Sequence, residues 1–224
     1  VGYHAGVSVI AFFDFDGTLL RGDSGRICAL PALRAGLVPP ASAARLVATY
    51  LLYGVGLRSR RDVQLAGFAC TAGRGLDELS AIIERLHERH LRPMVSAPMR
   101  SRVAEHRARG EHTCIVTASG HFWAEPLARE LGIDDVLGTR VRLVGGRSTG
   151  EVDGEVLEGQ AKVAAARRVA DARGAALTDC WFYSDHTADL PLLDAVGRPV
   201  VVGPTRALAA VARARRWPIV SHQQ

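Results

Sequence analysis

Val9-Ile10-Ala11-Phe12-Phe13-Asp14-Phe15-Asp16-Gly17-Thr18-Leu19-Leu20 is an apolar run that ends abruptly in two carboxylates and a glycine. A continuous apolar run closed by a turn signal is the pattern of a parallel strand covered on both faces. Ligands of such sheets gather at the carboxyl ends of the strands. Side chains two apart on an extended chain share a face, so Asp14 and Asp16 can address one ligand, and Gly17 lets the backbone turn away tightly. Two carboxylates so placed repel each other unless a cation or a shared proton intervenes. Taken alone, D-x-D also fits a metal-free strand end with two solvated aspartates.

Two further runs end in the same way. Cys114-Ile115-Val116 leads into Thr117 and Ser119, and Trp181-Phe182-Tyr183-Ser184 leads into Asp185. Three strands therefore bring polar groups to one rim of one sheet, and the expected fold class is α/β, a Rossmann-like doubly wound parallel sheet. After Thr18 the period turns helical, with helices expected near residues 24–36, 41–53, 59–71 and 76–91, separated by Gly36, Pro39-Pro40, Gly54 to Gly56 and Gly73 to Gly75. An α/β pattern then resumes. It predicts a helix over 98–109, a strand to Val116, a helix through Leu131 and a strand pair meeting at Gly145-Gly146. A helix from near Gly159, the Trp181 strand, a short helix over Leu190 to Leu193 and a strand at Val200 follow.

The motif D-F-D-G-T at 14–18, with these three strand ends, resembles the haloacid-dehalogenase-like phosphohydrolases. The resemblance implies that Asp14 is the nucleophile and Asp16 the general acid/base. It places Thr117 and Lys162 at the phosphate and makes Asp185 and Asp189 an acidic pair serving magnesium (Mg2+). Within that superfamily, S-T-G-E-V-D-G-E-V-L-E-G-Q-A-K from Ser148 to Lys162 is similar to the hairpin that leads to the catalytic lysine of phosphoserine phosphatases. The helical block is where such enzymes insert a cap, which implies a core of residues 1–20 and 96–224 and a helical cap over 21–95. Three motifs depart from that branch: D-G-T replaces D-S-T, T-A-S-G replaces S-G-G, and S-D-H-T-A-D-L-P-L-L replaces G-D-G-x-N-D. Those variants are similar to the broad bacterial group of phosphoserine-phosphatase-like hydrolases with mixed substrates.

The resemblance also supplies an expected ligand set. The Asp14 carboxylate, the Asp16 backbone carbonyl and Asp185 would hold the ion, with Asp189 orienting a water or Lys162. Thr117 and the amides around Ser119 and Gly120 are expected at the phosphate, at the start of a helix. Asp23 stands where phosphoserine phosphatases place a glutamate for the substrate ammonium, although Gly22-Asp23-Ser24 is equally a helix N-cap signature. Arg60 or Arg61 would meet a substrate carboxylate. A small phosphorylated amine or amino acid is therefore expected over a sugar phosphate. A phosphotransferase using the same intermediate, or a phosphatase of a more hydrophobic or lipid-like ester, is the alternative. Asp16 speaks against dehalogenation, because members that cleave carbon–halogen bonds lack the second aspartate, and a mere binding module has no use for it.

Composition carries one independent signal. Lys162 is the only lysine among 28 basic residues, all the others being arginine. Lysine offers a compact ammonium, whereas the wide guanidinium fork of arginine would crowd a transferring phosphoryl group. The 48% hydrophobic and 23% charged composition belongs to an ordinary globule rather than a disordered or membrane-spanning chain. Cys28, Cys70, Cys114 and Cys180 have no metal-ligand spacing and read as reduced, buried thiols, so a cytoplasmic location is expected; no signal-peptide pattern opens the chain. The net charge of +5 suits attraction of anionic esters, and with 6% aromatic residues and scattered arginines no nucleic-acid partner is expected. Leu46 to Leu57 is unusually apolar for a cap and could serve the cap's own packing, a greasy substrate pocket or a homodimer patch. His121 and His186 flank motif positions and read more readily as surface groups than as ligands.

Overall fold

In the computed structural model, which describes residues 9–223, strands β1 (Ile10–Phe13), β2 (His112–Gly120) and β3 (Asp135–Thr139) precede a hairpin of β4 (Val141–Val144) and β5 (Arg147–Val152). Strands β6 (Trp181–Ser184), β7 (Arg198–Val202) and β8 (Ile219–Val220) follow. The main sheet has the order β3-β2-β1-β6-β7-β8, with every pairing parallel. The chain runs outward from β1 in both directions, so the carboxyl ends of β1, β2 and β6 lie side by side at its centre.

Four helices lie between β1 and β2: α1 (Ser24–Arg34), α2 (Pro40–Gly54), α3 (Arg60–Ala69) and α4 (Leu76–Leu86). Helices α5 (Ala97–Ala108) and α6 (His121–Leu131) flank β2, and α7 (Gln160–Ala172), α8 (Leu190–Ala195) and α9 (Arg206–Arg215) complete the fold. The period of two along β1 divides the core. Ile10 and Phe12 join Cys114, Val116, Phe182 and Val201 beneath α7, α8 and α9, while Ala11 and Phe13 join Ile115, Tyr183 and Val200 beneath α5 and α6. Phe13 stacks on Tyr183 with ring centroids 4.7 Å apart. All four cysteines are buried free thiols. Among the described residues, no helix is long and apolar enough to cross a membrane.

The expected elements form, with different ends. The helix expected over 76–91 stops at Leu86 and continues as a wider turn, His87–Leu91, and β2 runs on to Gly120 with a register shift after Thr117. The chain leaves and re-enters the core at one place, where Leu20 pairs with Val95, Arg21 N donates to Met94 O at 2.8 Å and Ser96 N to Leu19 O at 2.8 Å. The inserted block is not packed as one unit. Cys28 and Ala32 of α1 and Leu79, Ile82 and Leu86 of α4 belong to the same apolar cluster as Phe13 and Leu127, whereas the end of α2 and the turn after it are exposed. The β4–β5 hairpin braces the block from below: Ser148 exchanges backbone hydrogen bonds with Gly73 and Arg74, and its hydroxyl lies 2.7 Å from Thr71 Oγ1.

Candidate active site

Asp14 directly follows β1, its N–H bound to Tyr183 O at 2.9 Å, and the chain then turns through Gly17 at φ +72°. That turn needs glycine twice over. The positive φ disfavours a side chain, and a Cβ at Gly17 would collide with the Asp185 carboxylate coming from the end of β6. Gly17 N donates to Gly22 O at 3.0 Å, closing the loop that carries both aspartates.

Lys162 projects from the first turn of α7 and is only 2% exposed. Its ammonium donates to Asp14 Oδ1 at 2.9 Å and to Asp189 Oδ2 at 2.9 Å, and Ser184 Oγ donates to the same Asp189 oxygen at 2.7 Å. Burial pushes Asp14 up to about 8, with Lys162 pulling against it and Asp189 and Asp185 adding to the rise. Burial also works to raise Asp189, but Lys162 and Ser184 outweigh it and hold that carboxyl below its usual range. Burial works to lower Lys162, and the two carboxylates overcome it, keeping the lysine charged.

Asp16 is held differently. Ser24 N donates to its Oδ1 at 2.6 Å and the Ser119 hydroxyl to its Oδ2. Burial, helped by the nearby Asp23 charge, raises its pKa against those hydrogen bonds. Two aspartates two residues apart are thus set in unlike surroundings, one against an ammonium and one against neutral donors. Asp185 is pushed up to about 6, chiefly by burial, with Arg60 opposing. Thr18 Oγ1 lies 3.5 Å from its Oδ1.

Above these groups opens a cavity of about 710 Å³. Asp16, Asp185 and Arg60 line its charged end, and Tyr50, Phe68, Phe122 and Trp123 give it an aromatic wall. Burial opposes the charge on Arg60, and Asp14, Asp16, Asp189 and Asp185 restore it. Gln64 also lines the cavity, and its Oε1 is buried with no hydrogen-bond partner among the described residues. Asp23 accepts from Arg26 N at 2.8 Å as the N-cap of α1 and lines the same cavity.

Several expected residues lie elsewhere or act otherwise. Arg61 is exposed on α3 and does not line the cavity, because Arg60 occupies the inward position of the helix's first turn. The Ser119 amide does not stand free at a helix start: β2 continues past it, and its N–H donates to Thr117 Oγ1 at 3.0 Å. Gly120, next to the start of α6, does line the cavity, and Thr117 is buried at the end of the regular β2 pairing. His186 lines the cavity with a pKa lowered by burial and then by Arg60, while His121 is paired with Glu125 at 3.2 Å. Sequence reasoning missed Ser24 and Ser184, both adjacent in sequence to expected site residues. It also missed His222, whose Nε2 lies 2.9 Å from Gly17 O and whose Nδ1 lies 3.0 Å from Ser96 Oγ. No local pattern points to that last contact.

Among the described residues, no three His, Cys, Asp or Glu side chains are grouped so as to hold a metal ion. The donors present are the Asp14 and Asp185 carboxylates and the backbone oxygens of the turn between them, the Asp16 side chain being bound by Ser24 and Ser119. An oxygen-only set with two carboxylates suits magnesium, which keeps several waters and needs no all-protein cage. Burial, with the charge of Asp189 added, raises both carboxyls against the pull of Lys162 and Arg60.

The haloacid dehalogenase-like hydrolase family matches residues 11–194. A probable phosphatase of Mycobacterium tuberculosis is 33% identical over 217 residues, 94% of this chain and 74% of the relative. A phosphoserine phosphatase of the same organism is 32% identical over 227 residues, 95% of this chain and 70% of the relative. A crystal structure of a protein of unknown function from Bordetella pertussis superposes with a TM-score of 0.85 at 30% identity, over 96% of this chain and 99% of that one. The chain belongs to the haloacid dehalogenase-like hydrolases. Within them it is a phosphatase of the phosphoserine-phosphatase-like branch.

Proposed function

We propose that this protein is a magnesium-dependent phosphomonoesterase that works through an aspartyl-phosphate on Asp14 and acts on a small phosphorylated amine or amino acid. The observation that carries the reading is the contrast in partners between Asp14, paired with the Lys162 ammonium, and Asp16, hydrogen-bonded by the neutral donors of Ser24 and Ser119. Burial raises both carboxyls, so Asp16 is ready to hold a proton, while Asp14, beside Lys162, would be ionised for attack by a bound cation.

An Asp14 oxygen attacks phosphorus, and the bond from phosphorus to the ester oxygen breaks with its electron pair leaving on that oxygen. Asp16 supplies the proton that makes it an alcohol. Asp16 then takes a proton from a water whose oxygen attacks phosphorus, and the bond to Asp14 breaks, returning its carboxylate and releasing phosphate. Lys162, held by Asp14, Asp189 and, through Asp189, by Ser184, presents a fixed positive charge to the phosphoryl oxygens. Arg60 faces them from the cap side of the cavity and Gly120 lines its wall, while Thr117, buried at the end of the regular β2 pairing, is the remaining hydroxyl donor. Asp14, the Asp16 backbone carbonyl and Asp185 would hold magnesium, which when bound supplies charge neutralisation between carboxylate and phosphate. Asp189, tied to Lys162, positions the lysine.

The amine preference rests on Asp23 and Gln64, two acceptors lining the cavity, one of them without a partner. Asp23→Asn tests it, because asparagine caps a helix as well as aspartate does and removes only the charge. A charge-assisted hydrogen bond is worth about 1.5–3 kcal/mol, so kcat/KM on an amine-bearing ester such as phosphoserine should fall roughly 10- to 100-fold. Turnover of an alkyl phosphate without the amine, whose leaving group needs the same proton from Asp16, should stay within about twofold. An equal loss on both esters would contradict amine recognition. The aromatic wall of Tyr50, Phe68, Phe122 and Trp123 favours a second reading, a more hydrophobic ester, which would show as a higher kcat/KM for an uncharged aryl or alkyl phosphate than for any amine.

A further inference from the structure

The end of α2 and the turn that follows it are apolar and open to solvent. Val47, Leu51 and Val55, spaced four residues apart, are 57%, 68% and 70% exposed, and Leu57 in the turn is 71% exposed. Leu52 and Tyr53 beside them are exposed as well. Every residue from Leu51 to Ser59 is exposed, so this apolar tip is not the packing surface of the cap. Contiguous exposed apolar surface of this kind marks a contact with something outside the chain.

Charge narrows what that contact is. Next to the tip, Arg58, Arg60 and Arg61 stand against one carboxylate, Asp62. Arg60 faces the cavity, while Arg58, 3.8 Å from Asp62, and Arg61 are exposed at the start of α3 beside the apolar tip. A second copy docking here through the same face would set arginines against arginines, so a homodimer through this surface is disfavoured. An exposed apolar tip flanked by Arg58 and Arg61 matches the two layers of an anionic bilayer surface, headgroup charge outside and hydrocarbon beneath.

We propose that the α2–α3 tip docks the enzyme on an anionic lipid surface, with Val55 and Leu57 inserted among the acyl chains and Arg58 and Arg61 on the lipid phosphates. Leu51, Tyr53 and Gly54 also line the catalytic cavity, so the mouth of the site lies next to the docking tip and would open at the lipid–water boundary. The docking stands on exposure and charge alone and is independent of which ester the enzyme cleaves.

The test is co-sedimentation of the full chain with vesicles of phosphatidylcholine, with and without phosphatidylglycerol. The protein should partition onto the anionic vesicles, release on raising salt, and stay in solution with phosphatidylcholine alone. Two double variants separate the contributions, and neither touches the cavity. Arg58→Gln with Arg61→Gln should weaken partitioning roughly 30-fold, taking ~1 kcal/mol per arginine at a membrane surface and ~1.4 kcal/mol per tenfold. Val55→Ser with Leu57→Ser should weaken it by a similar factor, and both should keep wild-type turnover of p-nitrophenyl phosphate. Binding that ignores phosphatidylglycerol content, or that survives the Val55/Leu57 change intact, would overturn the proposal. So would a dimer in sedimentation equilibrium that the Val55/Leu57 change dissociates, which would assign the face to a second copy.

Discussion

Lys162 Nζ lies 2.9 Å from Asp14 Oδ1 across 148 residues of sequence, and both side chains are almost wholly buried. The pair joins the carboxyl end of β1 to the first turn of α7. It is the contact on which the electrostatics of the site turn, because Lys162 also holds Asp189. Breaking a buried pair costs far more than forming it gains, since the partner carboxylates are left without a counter-charge.

Lys162→Met should therefore lower stability by about 3–5 kcal/mol, which for a chain of this size is a fall in Tm of roughly 6–20 °C. Lys162→Arg restores the charge but brings a wide fork into a space built for a point charge. It should melt closer to wild type and still lose about 100-fold or more in kcat. Calorimetry and turnover on both proteins check this, and an arginine variant of near wild-type activity would show that the site needs only a positive charge.

Asp16→Asn should separate good leaving groups from poor ones. A proton delivered to the leaving oxygen matters most for an alkyl phosphate, where general acid catalysis contributes about 10²–10⁴-fold, and least for p-nitrophenyl phosphate. The expected result is a much larger loss of kcat on the alkyl ester. Equal losses would mean that Asp16 acts on something other than the leaving group.

The pKa shifts fix a direction for pH and metal. Asp14 at about 8 and Asp185 at about 6 both stand above the ordinary 3.8, so the folded metal-free chain keeps protons that the unfolded chain has lost. Their contribution to stability is complete below about pH 4 and is lost as pH rises through about 6 for Asp185 and about 8 for Asp14. Magnesium needs both carboxyls ionised, so its binding releases protons and tightens as pH rises. The Tm gained on adding magnesium should be small near about pH 5 and large near about pH 9. A gain independent of pH would remove these carboxylates from the metal site.

His222 is joined to Gly17 O and Ser96 Oγ at 2.9 and 3.0 Å, next to the turn that carries Asp16. Gly203 leaves room for the ring, since a Cβ there would press on it at 2.6 Å. His222→Phe removes both hydrogen bonds and frees the turn. The expected effect is a fall in kcat of up to about 10²-fold with KM nearly unchanged, because small misplacements of reacting groups are costly. His222→Gln, which can keep one of the two bonds, should recover part of it. An equal rise in KM without loss of kcat would assign His222 to substrate binding instead.

Much of this site was legible along the chain because its parts sit at the ends of apolar runs. Asp14 and Asp185 directly follow strands, Asp16 sits in the turn after the first and Thr117 ends the regular pairing of β2; a strand reads clearly when both of its faces are buried, as Ile10 to Phe13 are. The solitary Lys162 stood out by composition alone. What could not be read depends on distance in sequence. The contact of His222 with Gly17 spans 205 residues, and the hold of Ser119 on Asp16 spans 103. Choosing Arg60 over Arg61 required the rotation of α3, which a run of adjacent arginines does not specify. Asp23 serves both as the N-cap of α1 and as a wall of the cavity, so neither reading of Gly22-Asp23-Ser24 excluded the other.

Trapping the phosphorylated chain tests most directly whether Asp14 accepts the phosphoryl group. Enzyme mixed with magnesium and a radiolabelled phosphoester, then quenched in acid during turnover, should carry label on the peptide containing Asp14. The label should be released by hydroxylamine, as an acyl-phosphate is, and should be missing from a folded Asp14→Asn protein that has also lost turnover. Turnover under the same quench with no label on that peptide, or with activity retained in Asp14→Asn, would contradict the account.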